Sequence, residues 1–488
     1  MIRTYPLKHA INIGKQKKIL EIIREYRKLA CQIASWQWKE FYLNGGFDRN
    51  LDIKGLKTCL SERYKQTCQY QVAGVLDSFL SNRQNDFVSM VYNSKLSEKT
   101  KAELFYINKC ELWFSSSGTM PLFDEKGKRI PGQIQPIPEE TGRLARAILK
   151  HILKKNNRPC LKKCNMALDN KVARVRAKEE GAKKFDYWIE LSTLSVRKTI
   201  QLPLISNRYF EEKQGINKKF CQINLSQEKQ INICLVKELE KKEYVPENPK
   251  IALDFGLQNL FSTDKGDLYG HNFFEILKKY DAYIGSLAQN RQRQKLATKS
   301  HVYNSLVSNV RDFLKNEICR VINHAIEKHK PKEIVVEKLQ FTSPRLSRRL
   351  NRILSNMGRK IIKQKLDSIS EELDIIITHI PAAYTSQSCH ICGYVDKNNR
   401  LSQASFFCRY CHNKIHADVN AARNILSRSS DKILSKVYIS KEAILKVVTQ
   451  QFMTSYPKAF DYAPSLMESN PYFRQYREKK EILSQGDG

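Results

Sequence analysis

Cys389-His390-Ile391-Cys392 is followed, after fifteen intervening residues, by Cys408-Arg409-Tyr410-Cys411, and then by His416-Ala417-Asp418-Val419-Asn420-Ala421-Ala422. Two residues between paired cysteines let both sulfurs face one tetrahedral ion from a single tight turn. Two such knuckles close a four-sulfur structural site with no open position. The spacing therefore predicts one structural Zn²⁺ on Cys389, Cys392, Cys408 and Cys411, against the alternative of four reduced thiols or two disulfides. Gly393 suits the sharp turn behind the first knuckle, and Asn413 is expected to do the same behind the second. Asp418 opens a helix directly behind the knuckles, so a metal-held ribbon is tied to an acidic residue.

Working outward, Ile251-Ala252-Leu253 reads as an apolar strand ending in Asp254, with Gly256 allowing a turn and Asp264-Lys265-Gly266-Asp267 closing a hairpin. Two long helical stretches follow, at about 273–298 and 301–329. Glu333-Ile334-Val335-Val336 is a buried strand terminated by Glu337. Residues 346–373 form a basic helix, and Asp374–Thr378 is the strand that leads into the knuckles. The order of hairpin, helices, strand, strand, insertion and helix is that of an RNase H-like α/β fold. Asp254, Glu337 and Asp418 lie more than eighty residues apart, so only a fold can gather them. If the two strands are parallel neighbours, their C-terminal ends form the edge where α/β sheets bind ligands. Three carboxylates gathered there repel one another, and hard divalent cations such as Mg²⁺ relieve that repulsion. The chemistry this permits is phosphodiester hydrolysis assisted by two Mg²⁺, with Asp254, Glu337 and Asp418 as ligands. A solvated acid at a strand end is the plainer reading of each one alone.

The chain of 488 residues carries 84 Lys and Arg against 50 Asp and Glu, a formal net charge of +34. That much positive charge repels itself unless a polyanion neutralises it, so a nucleic acid is the expected partner and a membrane surface the competing one. No stretch of eighteen apolar residues argues for a membrane span, and Met1–Pro6 lacks a signal-peptide core. The nine remaining cysteines suit free thiols in a reducing, cytoplasmic setting. Cys160 and Cys164 have no second pair and read as free thiols, and Cys59 and Cys68 as helix residues.

Residues 1–9 read as a short strand. Apolar residues at helical spacing, from Ile19 through Tyr26 to Trp36, predict a helix over about 14–42, broken by Asn44-Gly45-Gly46. Further helices are expected at about 53–80, 86–105 and 139–155, and strands between 171 and 241. Lys237–Tyr244 with Pro246–Pro249 reads as a linker. Tyr26, Trp36, Trp38, Phe41 and Tyr42 suit either a base-stacking platform or core packing, and helical spacing favours the core. Arg345, Arg348, Arg349 and Arg352 are candidate phosphate contacts, with a solvated basic face as the alternative.

Ile251–Leu260, Ile334–Leu339, Thr385–Cys389 and Asp418–Leu426 together resemble the RuvC-type nuclease of TnpB proteins and of the compact type V CRISPR effectors. The resemblance covers 250–427 by motif and 1–249 only by architecture. It implies a multidomain α/β protein: an RNase H-like (RuvC) nuclease carrying a Cys₄ zinc ribbon, preceded by a wedge β-barrel and a helical recognition lobe. Mapped onto this chain, the wedge takes 1–9 and 118–249, the lobe 10–117, the nuclease 250–384 and 416–430, the ribbon 385–415, and a partly disordered tail 431–488. Asp254, Glu337 and Asp418 would be the metal-binding catalytic triad. The implied function is RNA-guided DNA cleavage: a guide RNA pairs with double-stranded target DNA, and the protein reads a short flanking motif. The alternatives are a non-catalytic zinc-ribbon regulator and a transposon-associated strand-transfer enzyme. Monomer and homodimer are both open. Ala417 stands where relatives often carry Arg, and Lys338 where they often carry an acid.

Overall fold

The computed structural model describes residues 1–115, 117–177, 184–226, 230–241, 243–256, 258–297, 300–337, 346–436 and 438–477. The chain divides into two compact units, Met1–Glu240 and Lys241–Gly488.

The first unit begins with β1 (Ile2–His9) and then leaves for α1 (Ile13–Asn44), α2 (Glu62–Tyr92), α3 (Glu98–Lys109), the hairpin of β2 (Thr119–Phe123) and β3 (Arg129–Pro136), and α4 (Glu139–Lys155). It returns through β4 (Met166–Asp169), β5 (Ala173–Ala177), β6 (Tyr187–Ser192), β7 (Thr199–Ile205), α5 (Arg208–Glu211), β8 (Ile216–Leu225) and β9 (Ile231–Glu238). Seven of these strands form one antiparallel sheet in the order β4-β8-β9-β1-β7-β6-β5. Its two edge strands, β4 and β5, are joined by residues 170–172 alone, so the sheet must curl until its edges nearly meet. That makes it a nearly closed β-barrel with the helices inserted after its first strand.

Local chemistry sets the helix ends. Asn12 caps α1 by accepting from the Lys15 N–H at 2.9 Å. Gly45 ends it in the left-handed region (φ 85°), where a Cβ would sit 2.8 Å from the Glu111 carbonyl. The helices expected at 53–80 and 86–105 are divided differently. α2 begins at Glu62, capped by Ser61, and runs through Phe87 to Tyr92, because Phe87 and Val91 continue its buried face. Cys59 accordingly lies before the helix. α4 packs with α2 and α3, and the first barrel strand after β1 is β4. The expected linker shortens to 239–247, since β9 runs to Glu238 and β10 starts at Asn248.

The second unit holds β10 (Asn248–Asp254), β11 (Phe261–Thr263), β12 (Leu268–Tyr269), α6 (Phe273–Arg293), α7 (His301–His329), β13 (Pro331–Glu337), α8 (Arg348–Ile353), α9 (Arg359–Leu373), β14 (Ile376–Ile380), β15 (Ser405–Phe407), β16 (Lys414–His416) and α10 (Ala417–Ser429). Its five-stranded sheet has the order β12-β11-β10-β13-β14, with β10, β13 and β14 parallel and the hairpin strands antiparallel. This is the RNase H-like topology. A π-turn at Leu354–Gly358 joins α8 to α9 where one continuous helix is expected.

Residues 441–477, where the tail is expected to hold helical pieces, fold as α11 (Lys441–Ser455), α12 (Ala459–Tyr462), α13 (Pro464–Ser469) and a last helical stretch at 471–477. They pack on the knuckles: Phe473 stacks on Tyr394 with ring centroids 5.2 Å apart, and Asn470 donates to the Val395 carbonyl at 2.9 Å. Residues 478–488 of the expected tail lie outside the described residues. Among those that are described, no helix is long and apolar enough to cross a membrane.

Candidate active site and cysteine cluster

Side chains alternate along a strand, and here that alternation decides which face the acids share. Ala252 and Val335 are buried with Ile425 of α10. Ile251, Leu253, Ile334 and Val336 pack on the other face, in the core containing Leu277, Leu314 and Leu366. Asp254 and Glu337 therefore belong to the α10 face. Leu253 pairs with Val336 in the parallel register, so the two acids, one residue further on, end neighbouring strands side by side. Asp418 is the second residue of α10, where the helix dipole favours a carboxylate. Gly256 is required by close approach: a Cβ there would meet the Asn259 carbonyl at 2.7 Å and Asp418 Oδ2 at 3.7 Å.

Asp254 and Asp418 are only 7 % and 6 % exposed. Asp418 Oδ1 accepts from Arg400 Nη2 at 2.8 Å, and its Oδ2 from Asn259 Nδ2 at 3.5 Å. Asn259 is held in turn by His271, with its Oδ1 3.0 Å from Nδ1. Glu337 Oε2 accepts from Thr385 Oγ1 at 3.1 Å. Burial pushes the Asp254 carboxyl well above the carboxylate range, and the charges of Glu337 and Asp418 push it further, with Arg400 offsetting part. Burial likewise raises Glu337 to about 7, against the Thr385 hydrogen bond and the charges of Arg428 and Arg400. Arg428 is itself lowered to about 10 by burial, and its Nη2 is enclosed without a partner among the described residues. The site is thus a cluster of enclosed acids whose ionised form lacks sufficient counter-charge, an environment that favours a bound cation.

Among the described residues, Cys389, Cys392, Cys408 and Cys411 form the one group of three or more His, Cys, Asp or Glu whose donor atoms all lie within 4.8 Å of one another. The sulfurs of Cys389 and Cys411 are 3.7 Å apart, and those of Cys392 and Cys408 are 3.6 Å apart. Tetrahedral bonds of about 2.3 Å to one zinc would place sulfurs about 3.8 Å apart. The second knuckle turns at His412 (φ 59°), not at Asn413 as expected, because the residue four beyond the first cysteine takes this place in both knuckles. Gly393 N–H donates to the Cys389 carbonyl and His412 N–H to the Cys408 carbonyl, each at 2.9 Å. Asn413 instead reaches Cys389 Sγ through its side chain at 3.8 Å.

The knuckles are fastened to α10. Asn420 Oδ1 accepts from His390 N–H at 3.1 Å, and Asn424 Nδ2 donates to the Ser388 carbonyl at 2.7 Å. Arg423 spans His390 Nε2 and the Asp264 carbonyl. Sequence pattern alone does not mark Arg400, Asn259, Thr385 or Arg428 as site residues. Asn259 and Thr385 lie within the motif stretches, whereas Arg400 sits in the ribbon with no local signature. Arg348 and Arg352 are exposed, and Arg349 stands over the Tyr303 ring at 5.2 Å. Arg345 and Lys338 lie outside the described residues.

Arg400→Ala is expected to cost about 3 kcal/mol, because it strips a buried carboxylate of its counter-ion. In a unit of this size that is about 6 °C or more of melting temperature. Arg400→Lys should retain most of it, and an unchanged Arg400→Ala melting curve would refute the pairing.

Comparison with known proteins adds to this geometry. A family model described as Cas12f1-like, TNB domain, matches residues 360–425. A CRISPR-associated endodeoxyribonuclease, Cas12f1 of Sulfoacidibacillus thermotolerans, is 42% identical over 86 residues, which are 18% of this chain and 20% of that one. InsQ of Escherichia coli (strain K12), which carries the name of an RNA-guided DNA endonuclease, is 30% identical over 207 residues, 37% of this chain and 49% of that one. The chain thus spans half or less of the length of these relatives. Among solved structures, the mini-RNA-guided endonuclease CRISPR-Cas_phi3 aligns over 90% of this chain and 93% of that one, with 11% identity and a TM-score of 0.46.

Proposed function

We propose that this chain, a relative of the TnpB and Cas12f1 proteins, is an RNA-guided DNA endonuclease that hydrolyses phosphodiester bonds at Asp254, Glu337 and Asp418. The observation that carries this reading is the shared face: two acids ending adjacent parallel strands and a third in the first turn of the helix laid across them. Relatives named as endonucleases support it, as does a net charge of +34 suited to a cargo of RNA and DNA.

The donor set fits Mg²⁺, being all carboxylate and short of counter-charge. Two Mg²⁺ sharing these three acids would serve the attacking water and the leaving oxygen separately. Bound there, Mg²⁺ would supply an activated water and charge stabilisation on the leaving oxygen. The chain's own residues do the rest. Thr385 orients the Glu337 carboxylate, Asn259 and its partner His271 orient Asp418, and Arg400 neutralises Asp418. Arg428, buried opposite Glu337, holds positive charge beside the site. In this reading the cysteine cluster carries one structural Zn²⁺. Guide RNA pairing would select the target, and the protein would read a short flanking motif.

The test is to purify the protein with its bound RNA and sequence that RNA. A constant segment joined to a variable guide, and Mg²⁺-dependent cutting of double-stranded DNA matching the guide, are expected. Random RNA fragments and no cutting of matched DNA would overturn the proposal.

A pH dependence follows from Glu337. Its folded value near 7 lies above the ordinary value of 4.5, so the protonated form is the one that folding favours. Its contribution to stability is complete below about 4.5 and is lost as pH rises through about 7. The metal-free protein is expected to melt at progressively lower temperature from pH 5 to pH 8. Millimolar Mg²⁺ should raise the melting temperature more at pH 8 than at pH 5, where protons compete for the same oxygens. An equal Mg²⁺ shift at both values would count against carboxylate ligation.

A further inference from the structure

One face of α1 in the first unit lines two adjoining cavities, of about 440 Å³ and 770 Å³, which share Cys31 and Lys162 in their walls. The lining runs from Leu20 to Tyr42, about 33 Å along the helix at 1.5 Å per residue. Six cations face this groove: Arg24, Arg27 and Lys28 in the larger part, and Lys39, Arg158 and Lys162 in the smaller. Among the described residues, no acid lines either part. Arg24, Lys39 and Lys162 have no ion-pair partner among the described residues, although Lys28 reaches Glu25 at 3.9 Å. At the far end stands an aromatic wall. The Arg158 guanidinium lies 4.4 Å over the Trp38 ring and donates to the Tyr42 hydroxyl at 3.2 Å. Trp38 is buried among Phe41, Phe47 and Phe79, whereas Tyr42 is 38% exposed.

We infer that this groove binds unpaired nucleotides of a nucleic-acid strand, with phosphates along the cations of α1 and a base stacked on exposed Tyr42 and on the Arg158 guanidinium that covers Trp38. A row of cations tracks a polyanion, and an aromatic face with a stacked guanidinium accepts a base of any sequence. A duplex, whose bases are already stacked on each other, offers no face to such a wall. The two cavities in line exceed what one mononucleotide fills, which points to a strand. This extends the proposed function, from which the choice of a nucleic acid follows.

Cys160 provides a local readout. It is exposed and lines the aromatic end, while Cys59 and Cys110 are exposed elsewhere in the same unit and serve as internal controls. The full-length Asp254→Ala protein, zinc-loaded and without added Mg²⁺, is alkylated with iodoacetamide alone and with unstructured single-stranded RNA, single-stranded DNA or a duplex. The single strands are expected to slow Cys160 alkylation severalfold and leave Cys59 and Cys110 unchanged, with the duplex protecting less. Stronger protection by RNA assigns the groove to the guide, and stronger protection by DNA assigns it to a displaced strand. Tyr42→Ala should weaken single-strand binding about five- to a hundredfold, and Lys162→Ala should lower the salt slope by about 0.7. Equal protection of all three cysteines, or protection by the duplex alone, would overturn the inference. Because this assay needs no cleavage, a failed groove leaves the nuclease reading standing, and a failed nuclease reading leaves the footprint intact.

Discussion

Asp254→Ala is expected to abolish Mg²⁺-dependent cleavage of guide-matched DNA while leaving the protein folded and, without metal, more resistant to heat. Residues that merely support a metal ligand cost about 10- to 100-fold when removed, so loss of a ligand itself should exceed about a hundredfold. The stability gain follows from the same burial. Asp254 is enclosed beside Glu337 and Asp418, and its charged form is disfavoured by burial and by both neighbours. Removing it relieves repulsion that folding otherwise has to overcome, a trade of stability for function common at active sites. The paired measurement is cleavage rate and metal-free melting temperature at pH 8. Retained cleavage in this variant would end the three-carboxylate reading. Lost cleavage together with a lower melting temperature would show Asp254 to be structural. The same variant separates the alternatives: a non-catalytic regulator would show no difference because the parent does not cut, and a strand-transfer enzyme would lose joined products.

Cys408→Ser should cost nearly as much activity by a different route. Structural zinc contributes about 10–16 kcal/mol of apparent binding energy that is also folding energy, so three remaining sulfurs would not hold the ribbon. That ribbon supplies Thr385 and Arg400 to the carboxylates, and its backbone is hydrogen-bonded to Asn420 and Asn424 of α10, the helix that carries Asp418. The aromatic packing of Phe473 and Phe452 on Tyr394 would go with it. Zinc content should fall from one per chain to near zero, and cleavage with it, while the helices of the first unit keep the far-ultraviolet signal largely intact. A zinc-free variant that cuts at the parent rate would show that the ribbon does not position the site.

Much of the second unit is legible from local pattern. Ile251–Asp254 and Ile334–Glu337 are short apolar runs with acids at their ends, and two CxxC knuckles have one strong coordination solution. The helical half reads less well, because helical spacing continues across the break expected between 80 and 86. Only the buried positions of Phe87 and Val91 show that α2 is one helix. The knuckle turn also misleads. Asn tolerates the left-handed region better than His does, yet hydrogen bonding back to the first cysteine carbonyl places His412 there.

The amino-acid order by itself determined the sulfur cluster, the strand ends bearing Asp254 and Glu337, and the helix bearing Asp418, because each depends on spacing within a few residues. It could not determine Arg400 as the partner of Asp418, the clasp of residues 441–477 on the ribbon, or the cationic face of α1 opposite Arg158. Those contacts join residues far apart in the chain, and their energies depend on distance, burial and register, which exist only once the chain is folded.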